Sequence, residues 1–240
     1  MKRLFILFPT FLSLIVQGQE IKPIEKFNKI FIGYNFSPDY SFRTLKNNDG
    51  SSSSDIVIKN RNEIELAKFG FTTGLNICFN FTNLIGLETG IQYSNKGYKT
   101  KNQYLIYFPP NPSLPTKAKT IYTFQYIGIP VKAMFTVGKS RTRFLSSVGF
   151  MTNFLLSAKQ TTNFEYSDGK TDEKKQSTTS GFKKIDISPM ISVGIDYKIN
   201  DKIHFLAEPT FRYGVIKTKD APVTEKLWNA GLNIGFYYGL

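Results

Sequence analysis

Apolar and polar residues alternate with a period of two along most of this chain. The C-terminal segment shows the pattern best: one parity is apolar from Trp228 to Leu240, and the other is small or polar from Asn229 to Gly239. Only Leu227 and Tyr237 interrupt it. Successive side chains of a β-strand point to opposite faces, so the alternation predicts a strand with one apolar face and one polar face.

The same alternation recurs in seven earlier segments, which brings the predicted total to eight strands. These segments lie near residues 29–44, 68–79, 85–94, 119–137, 142–158, 185–199 and 202–215. The apolar parity changes around Tyr126, between Tyr122/Phe124 and Ile127/Ile129, which predicts a β-bulge there.

The connections between the predicted strands alternate in length. Short turns at 80–83, 138–141 and 200–201 contrast with long polar segments at 45–63, 101–118 and 159–182 and a moderate one at 218–225. Outer-membrane barrels divide periplasmic turns from extracellular loops in this way. A sheet that spans a membrane must close, because hydrocarbon offers its edges no hydrogen bonds. The fold predicted is all-β: an eight-stranded antiparallel up-and-down transmembrane β-barrel with short periplasmic turns and longer extracellular loops.

The polar face is expected to fill the interior, because an eight-stranded barrel is only wide enough for side chains. A structural network of lumen ion pairs is predicted from Lys68, Glu88, Lys96, Lys132, Asp186, Asp196, Lys198, Glu208 and Arg212. A soluble barrel of lipocalin type, with its apolar face inward, is the structural alternative. The many glycines and potential ion pairs on the polar face favour the membrane form.

The first 18 residues have the order of a secretory signal peptide. Lys2 and Arg3 precede an apolar run from Leu4 to Val16, which is too short to span a bilayer as a helix. We therefore expect a cleaved signal over 1–18, a barrel domain over 19–240 and export to the outer membrane of a gram-negative cell. The Ser51–Ser54 run and the prolines between 109 and 115 are expected to be mobile.

Aromatic residues are abundant, with 22 Phe, 13 Tyr and one Trp among 240 residues. Such residues form girdles at the two interfaces of membrane barrels. Trp228, Phe236 and Tyr238, together with Tyr237, are expected to anchor the last strand at an interface.

The net charge is +13, and it falls to +11 without Lys2 and Arg3. Nucleic-acid binding is not expected, because the basic residues are dispersed among the segments rather than clustered. An anionic lipopolysaccharide surface is the more natural counterpart, together with outer-membrane lipid.

The polar residues hold one candidate for nucleophilic catalysis. His204, the only histidine, could act with Asp186 or Asp196 and with Ser188 or Ser192, as hydrolysis requires. Its parity places it inside the barrel, where a polar filling role is favoured. Glu88 and Glu208 could form an acid–base pair, but pairing with lysine or arginine is favoured; Cys78 is expected to be a small filler. No cofactor is predicted, and one His and one Cys do not make a familiar metal site.

Three stretches give the chain a resemblance to the PorT-like family of outer-membrane β-barrel domains. They are Gly86-Leu-Glu-Thr-Gly-Ile-Gln-Tyr-Ser-Asn-Lys-Gly-Tyr98, Tyr126-Ile-Gly-Ile-Pro-Val-Lys-Ala-Met-Phe135 and Gly231-Leu-Asn-Ile-Gly-Phe-Tyr-Tyr238. The resemblance covers the whole mature chain and implies the barrel fold. It also implies insertion by the barrel assembly machinery, and for some members a link to protein secretion. The chain departs from the pattern at Leu240, where such barrels usually end in an aromatic residue.

The sequence favours a non-enzymatic barrel whose outer loops, 101–118 and 159–182 above all, contact a partner or the cell surface, with a secretion assembly as one setting. The first alternative is a barrel enzyme that modifies lipid or lipopolysaccharide. The second is a minor pore.

Overall fold

The structure is a computed structural model that describes residues 29–240, so the predicted signal segment lies outside the described residues. The elements are β1 (Ile30–Asn47), α1 (Ser52–Ile64), β2 (Glu65–Asn80), β3 (Ile85–Thr100), β4 (Gln103–Tyr104), β5 (Lys117–Val137), β6 (Thr142–Glu165), β7 (Thr171–Thr178), β8 (Ile185–Lys198), β9 (Ile203–Tyr213) and β10 (Val223–Gly239). Within residues 29–240, no helix has the length and apolarity needed to cross a membrane.

Eight of the strands form a closed antiparallel ring. The pairing runs β1-β2-β3-β5-β6-β8-β9-β10, and β10 returns to β1 through pairs that extend from Phe31 and Gly239 to Asn47 and Val223. β4 and β7 stand outside the ring, paired with β5 and β6. The three short turns lie at one end, here the short-turn end. The opposite end, here the loop end, carries α1, β4, β7 and the segment 214–222.

The alternation in sequence becomes an alternation of burial. In β1, Tyr34 and Phe36 are 52% and 43% exposed, whereas the alternate residues Asn35 and Ser37 are fully buried. The apolar face therefore points away from the interior and the polar face fills it. This is the reverse of a soluble ligand-binding barrel, so the lipocalin-type alternative does not describe this chain.

The expected loop regions contain structure that the alternation did not predict. The Ser51–Ser54 run was expected to be mobile, but Ser51 accepts a hydrogen bond from the Ser54 amide (3.1 Å) and caps α1. The segment 159–182 was expected to be a loop, but β6 continues to Glu165 and pairs with β7. This hairpin stands outside the ring and is largely polar on both faces, so it lacks the alternation that reveals the other strands.

The bulge predicted near Tyr126 is confirmed in position. The pairing of β5 with β6 shifts register between Gln125 and Tyr126, and the extra residue is Leu156 on β6. β5 itself keeps one parity, so Phe124 and Tyr126 both face inward. The expected change of face was wrong, because the interior at the loop end is aromatic rather than polar: Tyr98, Phe124, Tyr126, Ala158 and Leu227 form a buried cluster there.

Candidate functional site

The predicted lumen residues are buried, with one exception. Lys68, Glu88, Lys96, Lys132, Asp186, Asp196, Glu208 and Arg212 are all buried. Lys198 is the exception: its side chain is 38% exposed, and its ammonium lies 3.0 Å from Asp201 near the short-turn end.

Lys132 joins two buried carboxylates in the middle of the barrel. Its ammonium lies 3.0 Å from Glu88 Oε1 and 2.6 Å from Glu208 Oε1. Lys132 on β5 pairs directly with Glu88 on β3, which places the two side chains next to each other. Ser192 and Asn233 donate further hydrogen bonds to Glu208. Each of the three side chains thus has a charged partner, so Glu88 and Glu208 form a structural network rather than an isolated acid–base pair.

The prediction that Tyr237 anchors the chain at a membrane interface was wrong. The residue is buried, and its hydroxyl donates a 2.7 Å hydrogen bond to Glu88 Oε2. Its ring lies against Gly33, where a Cβ atom would stand 2.4 Å from the ring. A tyrosine at an inward position thus extends the charged network, and the missing side chain of Gly33 leaves room for it.

Asp39 is the centre of a second buried network that the sequence reasoning missed. It accepts hydrogen bonds from Thr72 (2.6 Å), Asn229 (2.8 Å) and Ser37 (2.7 Å), and Arg212 Nη1 lies 3.4 Å away. The alternation in β1 could have revealed this network, because its inward positions are polar and alternate with apolar residues. These positions are Asn35, Ser37, Asp39, Ser41 and Arg43.

Two lumen lysines lack the carboxylate partners expected for them. The ammonium of Lys96 lies 5.4 Å from the centre of the Tyr126 ring. Lys68 donates to Asn95 Oδ1 (2.8 Å) and Thr123 Oγ1 (3.1 Å). The partners of these two lysines therefore depend on strand order and register, which set the side chains within reach, and not on charge alone.

His204 meets a carboxylate but no nucleophile. Its Nδ1 lies 2.9 Å from Asp196 Oδ1, and Arg143 also bonds to this carboxylate. Ser188 bonds instead to Asp186 (2.8 Å), and Ser192 bonds to Ser147 and Glu208. In residues 29–240, no serine hydroxyl makes a hydrogen bond to His204, so the catalytic arrangement considered for it is not assembled.

Cys78 occupies an apolar layer at the short-turn end of the interior. Its sulfur lies 3.7 Å from that of Met134, and the layer also contains Phe31, Leu145, Leu206 and Tyr237. Across the described part of the chain, no group of three or more His, Cys, Asp or Glu side chains is placed to hold a metal ion.

The helix α1 is tied to the loop end of the barrel by buried ion pairs. Glu65 accepts from Arg43 Nε (2.6 Å) and Arg61 Nε (2.7 Å), and Arg61 also reaches Glu225 (2.9 Å). Burial acts to lower the pKa of Arg61, but its bonds to Glu65 and Glu225 outweigh burial and raise that pKa. Tyr98 donates to the same Glu225 carboxylate (2.9 Å). These bonds hold α1 against the loop end of the barrel.

The aromatic anchors predicted on β10 face outward at both ends of the strand. Trp228 contacts the rings of Phe42 and Phe211, and Phe236 and Tyr238 are about half exposed near the short-turn end. Ten residues separate Trp228 from Tyr238, roughly 33 Å along a strand. With a tilt near 45°, this separation matches the apolar band of about 25 Å that membrane barrels present.

Comparison with known proteins shows the family to which this chain belongs. The family described as "Outer membrane protein beta-barrel domain" matches residues 18–220. The chain belongs to this family. As an outer-membrane β-barrel protein it combines a closed ring of strands, an apolar outer face and a filled interior. No curated protein matches its sequence.

Solved outer-membrane proteins resemble this barrel over most of its length. Neisserial surface protein A is 11% identical, with 90% of this chain and 100% of that chain covered and a TM-score of 0.47. OprG from Pseudomonas aeruginosa is 13% identical, with 90% and 98% covered and a TM-score of 0.45. The outer membrane protease OmpT from Escherichia coli is 10% identical, with 89% and 94% covered and a TM-score of 0.44.

Proposed function

We propose that this chain is a non-enzymatic eight-stranded transmembrane barrel that holds its loop end at the cell surface for contact with a partner. The observation that carries the proposal is the combination of an outward apolar face with an ion-paired interior. An outward apolar face is stable against acyl chains. An interior filled by side chains leaves binding to the two ends of the barrel.

The filled interior argues against a pore. The Glu88–Lys132–Glu208 network lies in the middle of the barrel, and the apolar layer around Leu145 lies between it and the short-turn end. The surroundings of His204 argue against hydrolysis, because its neighbours are a carboxylate and a guanidinium. A structural role therefore fits the interior better than transport or catalysis does.

The tip of the β4 connection is the best candidate for partner contact. Ile106 and Phe108 are 93% and 100% exposed, and Tyr104 beside them is also largely exposed. Apolar side chains exposed together in this way are typical of interaction sites. The PorT-like resemblance makes an envelope protein of a secretion assembly the partner class to examine first, and the barrel assembly machinery the route of insertion.

Replacing Ile91 with arginine tests whether the outer face meets lipid. Ile91 is 63% exposed and lies midway along the outward row of β3. In a bilayer, an arginine there is expected to lower the free energy of unfolding by about 2–4 kcal/mol. Urea unfolding in lipid vesicles measures this loss, followed by the fluorescence of Trp228, the only tryptophan.

Ile56 on α1 supplies the matched control. It is 60% exposed but lies on the helix at the loop end, so Ile56→Arg is expected to change stability by no more than about 0.5 kcal/mol. Equal and small effects of the two substitutions would mean that the outer face of β3 meets water, and would refute the membrane-spanning proposal.

A cysteine placed at Ile106 tests which end faces outward. The single natural cysteine, Cys78, is buried, so an added exposed thiol gives the only strong signal. Ile106→Cys is expected to react with a membrane-impermeant maleimide on intact cells. Lys139→Cys, on an exposed short turn, is expected to react only after the outer membrane is permeabilised. The opposite pattern would invert the proposed orientation.

A further inference from the structure

Three lysines that are scattered in sequence lie together on the outer face of the sheet at the loop end. Lys99 on β3 pairs with Ile121 on β5, and Lys119 stands two residues from Ile121 on the same strand and the same face. Lys159 on β6 pairs with Thr123, two residues to the other side of Ile121. Diagonal neighbours in a sheet are about 7–8 Å apart, and positions two strands and two residues apart are about 12 Å apart. Lys119 and Lys159 lie on adjacent strands four residues apart in register, about 14 Å. The three lysines, here the lysine triangle, thus lie around Ile121 on the outer face.

The lysine triangle continues the lipid-facing surface beyond its apolar end. On β5 the outward row runs from Ile129 and Ile127 through Gln125 and Thr123 to Ile121 and Lys119. The inward row of the same strand, with Phe124 and Tyr126, belongs to the buried cluster. A molecule whose acyl chains lie against the apolar rows would therefore hold its head group beside these lysines.

The positive charge of the lysine triangle is not neutralised by the protein. Two carboxylates on this face are already engaged: Glu165 with Lys117 (2.7 Å) and Glu173 with Lys175 (2.7 Å). Within the described part of the chain, no carboxylate oxygen lies within 4.0 Å of the amines of Lys99, Lys119 or Lys159. An exposed Tyr104 ring stands beside Lys117 on the same side, 5.8 Å from its ammonium.

From this arrangement we infer that the lysine triangle binds the phosphorylated head group of an outer-leaflet lipid of the lipopolysaccharide class. Each ammonium is a compact point charge suited to phosphate. Basic residues at a membrane surface attract anionic lipid, and an aromatic ring at the same level is typical of an interface. The inference rests on the proposed membrane-spanning orientation, since only that orientation places the triangle beside lipid head groups.

Lipid retention by the folded protein tests the inference. The full chain is reconstituted in phosphatidylcholine nanodiscs that contain purified lipopolysaccharide, either native or enzymatically dephosphorylated. It is then extracted with mild detergent, and the lipopolysaccharide that stays bound is measured by native mass spectrometry. We expect Lys99→Gln/Lys119→Gln/Lys159→Gln to weaken retention on the order of tenfold to a hundredfold, and dephosphorylation to weaken retention by the wild-type chain similarly.

A second triple variant controls for net charge. Lys59→Gln/Lys139→Gln/Lys174→Gln removes three exposed lysines that lie elsewhere, on α1, a short turn and β7. It is expected to retain lipopolysaccharide as the wild type does. Equal loss in both variants, or unchanged retention in the triangle variant, overturns the inference. Wild-type retention of dephosphorylated lipid overturns it too, as does equal binding of a soluble polyphosphate.

The outcome can be separated from that of the membrane-spanning proposal. Each variant is first checked for the heat-modifiable gel migration of a folded barrel, and the single variant Lys159→Gln serves if the triple variant does not fold. A chain that shows the Ile91→Arg penalty but no selective lipid retention contradicts the lysine triangle alone. A chain that shows neither contradicts the membrane-spanning proposal as well.

Discussion

Replacing Lys132 with alanine is expected to lower the free energy of unfolding of the barrel by about 3–5 kcal/mol. The substitution leaves Glu88 and Glu208 buried side by side, with no cation near enough to compensate them. The remaining hydrogen bonds from Tyr237, Ser192 and Asn233 satisfy individual oxygens but supply no positive charge. Urea unfolding in vesicles, followed through Trp228 and through heat-modifiable gel migration, measures the loss.

Lys198→Ala is the matched control for Lys132→Ala. Lys198 has the same inward position in the alternation of its strand, but it lies near the short-turn end. Its side chain is 38% exposed and its partner Asp201 is 94% exposed, so Lys198→Ala is expected to cost no more than about 1 kcal/mol. Neutralising the whole network, with Glu88→Gln/Lys132→Met/Glu208→Gln, should recover most of the stability lost by Lys132→Ala. If Lys132→Ala and Lys198→Ala prove equally mild, the buried network does not stabilise the barrel as argued.

The ring of strands could be predicted from the sequence because an apolar outer face and a polar filled interior impose opposite demands on neighbouring residues. β10 shows this in an almost unbroken alternation from Trp228 to Leu240. The alternation did not predict α1 and β7, because neither belongs to the ring with its apolar outer face and filled interior. Every residue of β7 is exposed, and α1 buries only Ser54. Outside the ring, the constraint that produces the period-two pattern no longer acts.

The members of the interior network were largely predictable, but their partners were not. Inward parity alone identifies Glu88, Lys132 and Glu208. That Lys132 joins both carboxylates depends on the strand order, which places β3 beside β5 and curves β9 within reach across the interior. Lys96 shows the same limit, since register brings its ammonium to an aromatic ring rather than to a carboxylate. A register shift of one residue would move these side chains to the opposite face of the sheet and remove their contacts.

Gly231→Val is expected to prevent the barrel from closing. A Cβ at this position would lie 2.0 Å from Asp39 Oδ1 and 2.5 Å from the backbone oxygen of Pro38. Asp39 cannot move aside without losing Thr72 and Asn229, and Pro38 cannot move without parting β1 from β10, the pair of strands that completes the ring. The expected result is loss of the heat-modifiable folded band, which corresponds to a penalty of about 3 kcal/mol or more.

Ala230→Val tests the same strand without the steric conflict. Ala230 is the preceding residue, on the outward face between Tyr40 and Phe211, where added methyl groups do not enter the filled interior. Valine favours strands, so this substitution is expected to change stability by about 1 kcal/mol or less. Because both variants add a β-branched side chain to β10, only the close approach of β1 distinguishes them. A Gly231→Val barrel that folds as readily as Ala230→Val would mean that β1 and β10 do not approach as closely as the ring requires.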